Sequence, residues 1–202
     1  MTGLAWGIEA EYQGLVFGVD EVGRGPWAGP VTAAAACLSS AAIPAGLADS
    51  KALPASTREH IAAMLKLSAH IEIGWASVEE IDALNILAAT HLAMIRAVTA
   101  LAARIGPPAM ILVDGNRAPP LPWPTRTIVK GDAAVASIAA ASISAKVTRD
   151  AYMVELAIQH PAYSWASNKG YGVAVHAAAL EKHGVSPHHR RSFAPIRKLL
   201  GA

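Results

Sequence analysis

The sequence contains one cysteine, few charged residues and no recognisable targeting signal, and each of these absences excludes a class of protein. A lone cysteine, Cys37, cannot form an intramolecular disulfide, so the sequence favours a reducing compartment. Charged residues make up 16% of the chain and hydrophobic residues 53%, which supports a large core and argues against disorder. The uncharged run at 133–145 is too short to cross a bilayer, and acidic residues interrupt the apolar residues near the N-terminus. We therefore expect a cytoplasmic protein with no membrane association.

The patterns of several common functional sites are also missing. The sequence has no Cys-x-x-Cys pair and no spacing typical of a Ser-His-Asp triad. It has no D-x-[DN]-x-[DN]-G loop, which argues against a structural calcium-binding protein. There is no internal repeat and no linker long enough to separate two domains. A length of 202 residues therefore suits one domain with at most a small appendage.

Charge is distributed unevenly along the chain, although the formal net charge is only +2. Residues 165–202 contain six Lys or Arg and one acidic residue, a balance of +5, whereas residues 1–164 contain 11 basic and 14 acidic residues, a balance of −3. A basic end beside an acidic cluster favours a protein that binds and cleaves a phosphate backbone, although a solvated helical surface has the same composition. We predict a main domain at 1–164 and a basic helical segment at 165–202 in one continuous structural unit. Within that segment we expect Arg190 and Arg191 to contact phosphates.

Hydrophobic periodicity and turn residues predict an α/β fold in which helices flank a mixed β-sheet and a helical segment caps the C-terminal end. Strands are expected at 15–20, 30–38, 70–76, 109–113 and 126–129, and helices at 56–67, 77–104, 133–159 and 174–183. Ser56 with Glu59 and Ser77 with Glu80 each predict a capping box at a helix start. The proline-rich stretch 117–124 and the stretch 164–172 are expected to be irregular.

Acidic residues stand at the ends of three of the predicted strands. Asp20 and Glu21 follow a short apolar run and precede a glycine-rich loop, and Asp114 and Asp132 end two later strands. Because sites in open α/β sheets lie at strand ends, these carboxylates are expected to converge, although Asp114 could also be a simple turn residue. Alternation along a strand would send Asp20 and Glu21 to opposite faces, so a shared site requires regular strand geometry to end near Asp20.

Clustered carboxylates without histidine or cysteine favour a hard cation, either Mg²⁺ or Mn²⁺. Two such ions about 4 Å apart can activate a water and stabilise the leaving oxygen in phosphodiester cleavage. This chemistry agrees with the basic C-terminal segment.

Five ordered motifs resemble those of the ribonuclease HII family, and together they span residues 16 to about 198. They read GVDEVGRGPWAGPV at 18–31, LNILAATHLAMIRAV at 84–98, VDGNR at 113–117, VKGDAAVASIAAASISAKVTRD at 129–150, and NKGYG with HHRRSF at 168–172 and 188–193. The resemblance implies a ribonuclease H-like fold. It also implies that Asp20, Glu21, Asp114 and Asp132 are the catalytic acids and bind Mg²⁺ or Mn²⁺, with two ions present during catalysis.

The same resemblance implies how the substrate is recognised. The loop Gly23-Arg24-Gly25 is expected to read the ribose 2′-hydroxyl through its backbone, and Tyr171 to stack on the next deoxyribose. Expected phosphate contacts are Lys51, Lys146 and Arg191. The sequence departs from the family pattern at three positions, where Trp27 replaces Leu, Ala133 replaces Ser and Val173 replaces Thr.

These observations predict a metal-dependent endoribonuclease. By resemblance it cleaves the RNA strand of RNA–DNA hybrids and the 5′ side of a single ribonucleotide in duplex DNA, leaving 3′-hydroxyl and 5′-phosphate ends. A paralogue of the ribonuclease HIII type and a non-catalytic nucleic-acid-binding module are the alternatives. We further expect a monomer without a protein-docking tail.

Overall fold

The computed structural model describes residue 4 and residues 6–201, and a five-stranded mixed sheet lies at the centre of this part of the chain. The strand order is β3-β2-β1-β4-β5, antiparallel from β3 through β1 and parallel from β1 through β5. The strands are β1 Val16–Val22, β2 Val31–Cys37, β3 His70–Ala76, β4 Met110–Asp114 and β5 Thr125–Ile128. The fold is therefore α/β with a mixed sheet flanked by helices, as the sequence predicts.

Seven α-helices surround the sheet. They are α1 Ala55–Ser68, α2 Val78–Leu84, α3 Ile86–Ile105, α4 Ala136–Gln159, α5 Trp165–Asn168, α6 Ala174–His183 and α7 Ala194–Leu199, all within the described residues. Helix α3 packs on one face against β1, β2 and β3, whereas α4 packs on the other face against β1 and β2. Two apolar cores result, one on each face of the sheet.

Small residues let both helices approach the sheet closely. Every residue of β2, which reads VTAAAAC, is buried because helices cover both faces. A Cβ added at Gly18 would lie 2.1 Å from the Ser137 carbonyl carbon of α4, and one at Gly74 would lie 2.0 Å from the Ala93 oxygen of α3. Larger side chains at these positions would push the helices off the sheet, which explains the abundance of alanine and glycine.

Helix α3 is also the one described helix whose length and composition would allow it to cross a bilayer. Its buried residues face the sheet, and Arg96 and Arg104 on its outer side form ion pairs with Glu80 at 2.7 Å and Glu72 at 2.6 Å. A helix with one buried face and ion-paired arginines on the other is a core helix of the α/β domain.

The structure corrects several predicted elements. Helix α1 begins after Pro54 without any side-chain cap, so the capping box predicted from Ser56 and Glu59 is wrong, whereas the box of Ser77 with Glu80 is confirmed. The helix predicted over 77–104 is broken at Asn85, which has a positive φ of 73°. The predicted helix at 133–159 begins three residues later, because Gly131–Ala133 form a 3-10 turn, and the stretch 164–172 contains helix α5.

Residues from Trp165 onward pack on the rest of the domain through an aromatic core. Trp165 is fully buried, and its cluster includes Met153 of α4, Ala28 of the β1–β2 loop and Ile196 of α7. Backbone hydrogen bonds join Gly29 N–H to His188 O at 2.9 Å and Arg190 N–H to Trp27 O at 2.8 Å. The C-terminal segment thus completes the surroundings of the β1–β2 loop.

Candidate active site

Two of the predicted acids lie side by side because β1 and β4 are parallel neighbours. Val19 pairs with Val113, so the following residues, Asp20 and Asp114, stand at the same height on adjacent strands. Asp20 is buried, with 5% of its surface exposed, and its Oδ1 accepts the Glu21 N–H at 2.7 Å. Adjacent parallel strands therefore bring together two carboxylates that are 94 residues apart in sequence (114 − 20 = 94).

Regular strand geometry does not end near Asp20, contrary to the expectation for a site shared with Glu21. Strand β1 keeps its antiparallel pairing through Glu21–Ala33 and Val22–Thr32. The alternation of side chains consequently holds, with Asp20 near Ser142 of α4 and Glu21 on the α3 side. Both carboxylates nevertheless lie close to Asp114 at the end of the neighbouring strand β4. The charge of Asp114 raises the pKa of each of them.

The fourth acid reaches this edge through a tight turn after β5. Lys130 has a positive φ of 58°, and the Gly131 N–H then donates to the Asp114 carboxylate Oδ1 at 2.7 Å. Asp132 follows directly, is buried with 5% exposure, and its Oδ2 lies 3.4 Å from the exposed Lys51 ammonium group. The hydrogen bond between Asp114 and Gly131 thus fixes the position of Asp132 relative to the end of β4.

Electrostatics distinguish these acids from ordinary surface carboxylates. Burial, followed by the charges of Glu21 and Asp114, raises the pKa of Asp20 well above its usual value. Burial also raises the pKa of Glu21, although hydrogen bonding and charge from Arg24, 3.2 Å away, oppose that shift. Burial and neighbouring carboxylates therefore disfavour the ionised forms of Asp20 and Glu21.

The described residues contain no group of three or more His, Cys, Asp or Glu side chains already arranged to hold a metal ion. The donor set nevertheless fits a hard cation, because four carboxylates lie at one end of the sheet strands and the buried Asp20 forms no ion pair with any described residue. The metal hypothesis therefore rests on donor chemistry and charge rather than on a preformed ligand cage.

A cleft of about 250 Å³ opens beside the acids. Glu21 and Asp114 line it together with residues to which the sequence reasoning gave no role, namely Thr90, His91, Asn116 and Arg117. Arg117 could have been noticed because it follows Asp114 within the motif VDGNR, whereas His91 looked like one member of an apolar helix stripe. Partial burial lowers the pKa of His91, and the charges of Arg24 and Arg117 lower it further.

Two buried arginines hold the glycine-rich loop from behind. Arg190 donates to the carbonyl oxygens of Gly29 and Arg24 at 2.9 Å each, of Gly23 at 2.5 Å and of Pro30 at 3.2 Å. Arg149 donates to the oxygens of Pro30 at 3.1 Å, Lys169 at 3.0 Å and Ala28 at 3.3 Å.

The prediction that Arg190 contacts phosphates is therefore wrong, because its side chain is fully buried. Neither Arg190 nor Arg149 forms an ion pair with a carboxylate within the described residues. Burial, together with the charge of Arg149, lowers the pKa of Arg190 to about 9. The sequence contained no signal for this role, since RR at 190–191 has the appearance of surface charge.

The turn that carries Tyr171 lies directly against the glycine-rich loop. A Cβ on Gly25 would be 3.4 Å from the Tyr171 ring, which is 42% exposed. The Trp27 N–H donates to the Gly170 oxygen at 2.8 Å, and a Cβ on Gly172 would collide with the Trp27 indole at 2.0 Å. The structure thus brings Arg24, Gly25 and Tyr171 together at the surface, with Trp27 beneath them. Gly23 is buried, and a Cβ there would lie 2.2 Å from Arg149 Nε.

The three predicted phosphate contacts occupy different positions. Lys51 lies at the acid cluster, with 83% of its side chain exposed. Lys146 is partly buried on α4 and forms an ion pair with Asp150 at 3.0 Å. The Arg191 side chain is exposed, and its backbone N–H donates to Asp82 Oδ2 at 2.9 Å.

Solved structures with this architecture define the class of protein. Ribonuclease H2 from Pyrococcus horikoshii OT3 superposes with a TM-score of 0.78 at 27% identity, covering 92% of this chain and 97% of that chain. The ribonuclease HII from Archaeoglobus fulgidus, solved in complex with PCNA, shares the fold at 22% identity with a TM-score of 0.73, covering 87% and 93% of the two chains. Bst-RNase HIII in complex with Mn²⁺ shares the fold at 20% identity with a TM-score of 0.73, covering 96% and 72%. The fold is that of a ribonuclease H, a nucleic-acid hydrolase.

Sequence relatives narrow this class to one family. The family model for ribonuclease HII matches residues 17–196. The ribonuclease HII of Jannaschia sp. (strain CCS1) is 57% identical over 96% of both chains, and that of Paracoccus denitrificans (strain Pd 1222) is 55% identical over 92% of this chain and 88% of its own. The chain therefore belongs to the ribonuclease HII family and is a ribonuclease H endonuclease. This assignment decides against the ribonuclease HIII and non-catalytic alternatives.

Proposed function

We propose that this endonuclease requires a divalent metal and cleaves the RNA strand of RNA–DNA hybrids and the 5′ side of single ribonucleotides in duplex DNA. Cleavage leaves 3′-hydroxyl and 5′-phosphate ends. The observation that best supports the proposal is the placement of Asp20, Glu21, Asp114 and Asp132 at one sheet edge, next to the glycine-rich loop.

The four acids are the proposed ligands for Mg²⁺ or Mn²⁺. Bound ions would supply positive charge that lowers the pKa of an attacking water and stabilises the leaving oxygen. Backbone pairing of β1 with β4 places Asp20 and Asp114 at adjacent strand ends, and the Asp114 carboxylate accepts the Gly131 N–H of the Asp132 turn. The protein thereby orients its carboxylates, and Lys51 stays beside Asp132 until the phosphate competes for it.

Substrate selection is proposed to come from the surface formed by the glycine-rich loop and Tyr171. Only the 2′-hydroxyl distinguishes RNA from DNA at a given nucleotide, and the backbone of Gly23, Arg24 and Gly25 is proposed to read it. The exposed Gly25 leaves room for a sugar to approach, whereas the missing side chain of Gly23 makes room for Arg149. The neighbouring Tyr171 ring offers an exposed flat face for the deoxyribose that follows. The two elements lie in contact, so they can read adjacent sugars at an RNA–DNA junction.

Exposed cations around this surface are proposed to bind the phosphate backbone. Arg191 can contact phosphates through its exposed side chain. Lys51 and Lys146 must first give up their ion pairs with Asp132 and Asp150. The proposed partners are accordingly the RNA–DNA hybrid and the ribonucleotide-containing duplex, bound with an affinity that falls as salt concentration rises.

Cleavage of a duplex DNA containing one ribonucleotide, resolved on a denaturing gel, tests this proposal. We expect cleavage with Mg²⁺ or Mn²⁺, none with a chelator, and at least about a 100-fold lower rate in Asp132→Asn with duplex binding retained. Glu155→Gln, which removes an exposed acid from α4, should cleave within about twofold of wild type. An Asp132→Asn variant that cleaves within tenfold of wild type would disprove the assignment of this acid.

A further inference from the structure

The Tyr171 turn is held from behind by a buried chain of hydrogen bonds through two histidines. His176 Nδ1 lies 2.9 Å from the Tyr171 carbonyl oxygen, and His176 Nε2 lies 3.0 Å from His189 Nε2. The Trp165 Nε1–H donates to His176 Nε2 at 3.2 Å, and the Ser186 N–H donates to His189 Nδ1 at 3.0 Å. Both histidines are fully buried.

The fixed donors and acceptors at the ends of this chain determine both tautomers. The Ser186 backbone N–H can only donate, so His189 Nδ1 accepts and the proton of His189 lies on Nε2. The Tyr171 carbonyl can only accept and the Trp165 indole can only donate, so His176 carries its proton on Nδ1 and accepts at Nε2. The direction is therefore His189 Nε2–H to His176 Nε2, and His176 Nδ1–H to Tyr171 O.

The surroundings keep both rings neutral. Tyr163 and Trp165 pack against His189 with ring centroids 4.8 Å and 5.3 Å away. Burial, followed by the neighbouring His176, lowers the pKa of His189 to about 4, and burial also lowers the pKa of His176. The other titratable groups that influence this pair are His188 and His160, which are histidines as well. A neutral pair retains the one-way hydrogen-bond chain at physiological pH.

The hydrogen bond to Tyr171 acts on a turn that other hydrogen bonds also hold. The Trp27 N–H donates to Gly170 O at 2.8 Å, and the Val173 N–H donates to the same Tyr171 oxygen at 2.9 Å. Lys169 has a positive φ of 51° and Gly170 one of 85°, so the backbone of the turn lies twice in the left-handed region. The His176 ring also packs at 5.7 Å from Trp27, the indole that lies beneath Gly172. His176 thus links the buried aromatic core to the one residue of the turn whose ring faces the glycine-rich loop.

We propose that His176 is a positioning residue that sets the orientation of Tyr171 through its Nδ1–H, and thereby the preference of the enzyme for RNA–DNA junctions. The inference rests on the proposed junction role of Tyr171. His176 does not contact the substrate, and its effect is transmitted through one backbone carbonyl.

Two amide substitutions, His176→Asn and His176→Gln, separate this role from simple packing. The side-chain amide of Asn can occupy the Nδ1 position and donate to the Tyr171 oxygen, whereas the amide of Gln occupies the Nε2 position and loses that donor. Both variants remove the ring, so both should lower the thermal unfolding midpoint by a similar amount. The discriminating measurement is the ratio of kcat/KM for a lone ribonucleotide in DNA to kcat/KM for a long hybrid.

We expect His176→Gln to lower this ratio by roughly tenfold, within the range of one lost stacking contact, and His176→Asn to stay within about threefold of wild type. Equal ratios in the two variants, whether both lowered or both unchanged, would overturn the positioning role. A long-range ¹H–¹⁵N spectrum of histidine-labelled protein should show the Nδ1–H tautomer for His176 and the Nε2–H tautomer for His189. The reverse tautomers would also overturn the proposal.

Tyr171→Ala provides the reference that separates this inference from the proposed function. If Tyr171→Ala lowers the ratio and His176→Gln does not, only the positioning role fails. If Tyr171→Ala leaves the ratio at the wild-type value, junction reading by Tyr171 fails and the inference falls with it. In the supporting case, His176→Gln adds no further loss to Tyr171→Ala, because both changes remove the same interaction.

Discussion

At the scale of single residues, Asp20 shows how a proposed metal ligand lowers the stability of the fold. Its carboxylate is buried beside Glu21 and Asp114, and these neighbours together with burial favour its protonated form. Because the pKa is raised in the folded state, the folded protein binds protons more tightly than the unfolded chain does. The free energy of unfolding therefore falls as pH rises through the folded-state pKa of Asp20, and at neutral pH without metal this residue lowers the stability of the fold.

The destabilising effect of Asp20 predicts that removing its charge will stabilise the folded protein when no metal is bound. At pH 7, with a chelator present, Asp20→Asn should unfold at a higher temperature than wild type. The shift should be about 2–4 °C for each kcal/mol by which the free energy of unfolding rises. The difference should shrink as pH is lowered toward about 4, where the wild-type carboxyl is protonated. Adding Mn²⁺ should raise the unfolding temperature of wild type more than that of Asp20→Asn, because the variant loses a proposed ligand charge.

Thermal scans at several pH values, with and without Mn²⁺, measure these shifts. Glu155→Gln is the matched control, since it also removes one acid but from an exposed position. An Asp20→Asn variant that is less stable than wild type in chelator would contradict the electrostatic account.

At the scale of elements, the break between α2 and α3 is the clearest departure from sequence periodicity. Apolar residues continue through 77–104, yet Asn85 has φ 73° and ψ 163°, a region that residues with a Cβ rarely adopt. Its side-chain oxygen accepts from Leu87 N–H at 3.0 Å and Ala88 N–H at 3.2 Å, which caps α3. The break redirects the chain so that α3 lies along the sheet and places Thr90 and His91 at the cleft.

Substitutions at Asn85 should separate the cap from the backbone conformation. Asn85→Ala should lower the free energy of unfolding by about 2 kcal/mol, because it loses the cap and keeps an unfavourable positive φ. Asn85→Gly loses the cap but tolerates the positive φ, so it should cost only a few tenths of a kcal/mol. Urea unfolding measures both values, and equal losses in Ala and Gly would show that the cap alone matters.

At the scale of the whole molecule, the C-terminal segment is joined to the β1–β2 loop by Arg190. This buried guanidinium donates to four loop carbonyls, whereas its neighbour Arg191 has an exposed side chain. The proposed division at 164/165 therefore separates two parts of one packed unit, since the segment supplies hydrogen bonds that hold the loop. The monomeric state, the lack of a docking tail and the cytoplasmic location stay predictions.

Substitutions of the adjacent residues Arg190 and Arg191 should consequently have different effects. Arg190→Lys should lower the free energy of unfolding by about 2–4 kcal/mol and weaken cleavage at a lone ribonucleotide, because an ammonium cannot reach all four carbonyls. Arg191→Ala should leave stability within about 0.5 kcal/mol and flatten the slope of log K against log salt by roughly 0.9. Unfolding and salt-dependent binding assays measure both effects, and an Arg190→Lys variant as stable as wild type would refute the buried role.

The sequence by itself located the five strands, part of the helices and the four acids of the motifs. Apolar runs, prolines and glycines act locally, so strand β3, helix α6 and the irregular stretch 117–124 could be located from neighbouring residues alone. The motifs located Asp20, Glu21, Asp114 and Asp132, and the strand-end rule predicted their convergence, which the parallel pairing of β1 with β4 accounts for in the case of Asp20 and Asp114.

Only the tertiary structure decided which charged and polar residues face the substrate and which are buried. Arg190 and Arg191 are adjacent and chemically identical, yet one is fully buried and the other exposed. His176 and His189 are paired because helix α6 and the chain before α7 pack on the same aromatic core. Burial and hydrogen-bond partners depend on contacts between segments that are distant in sequence, and such contacts leave no periodic signal along the chain.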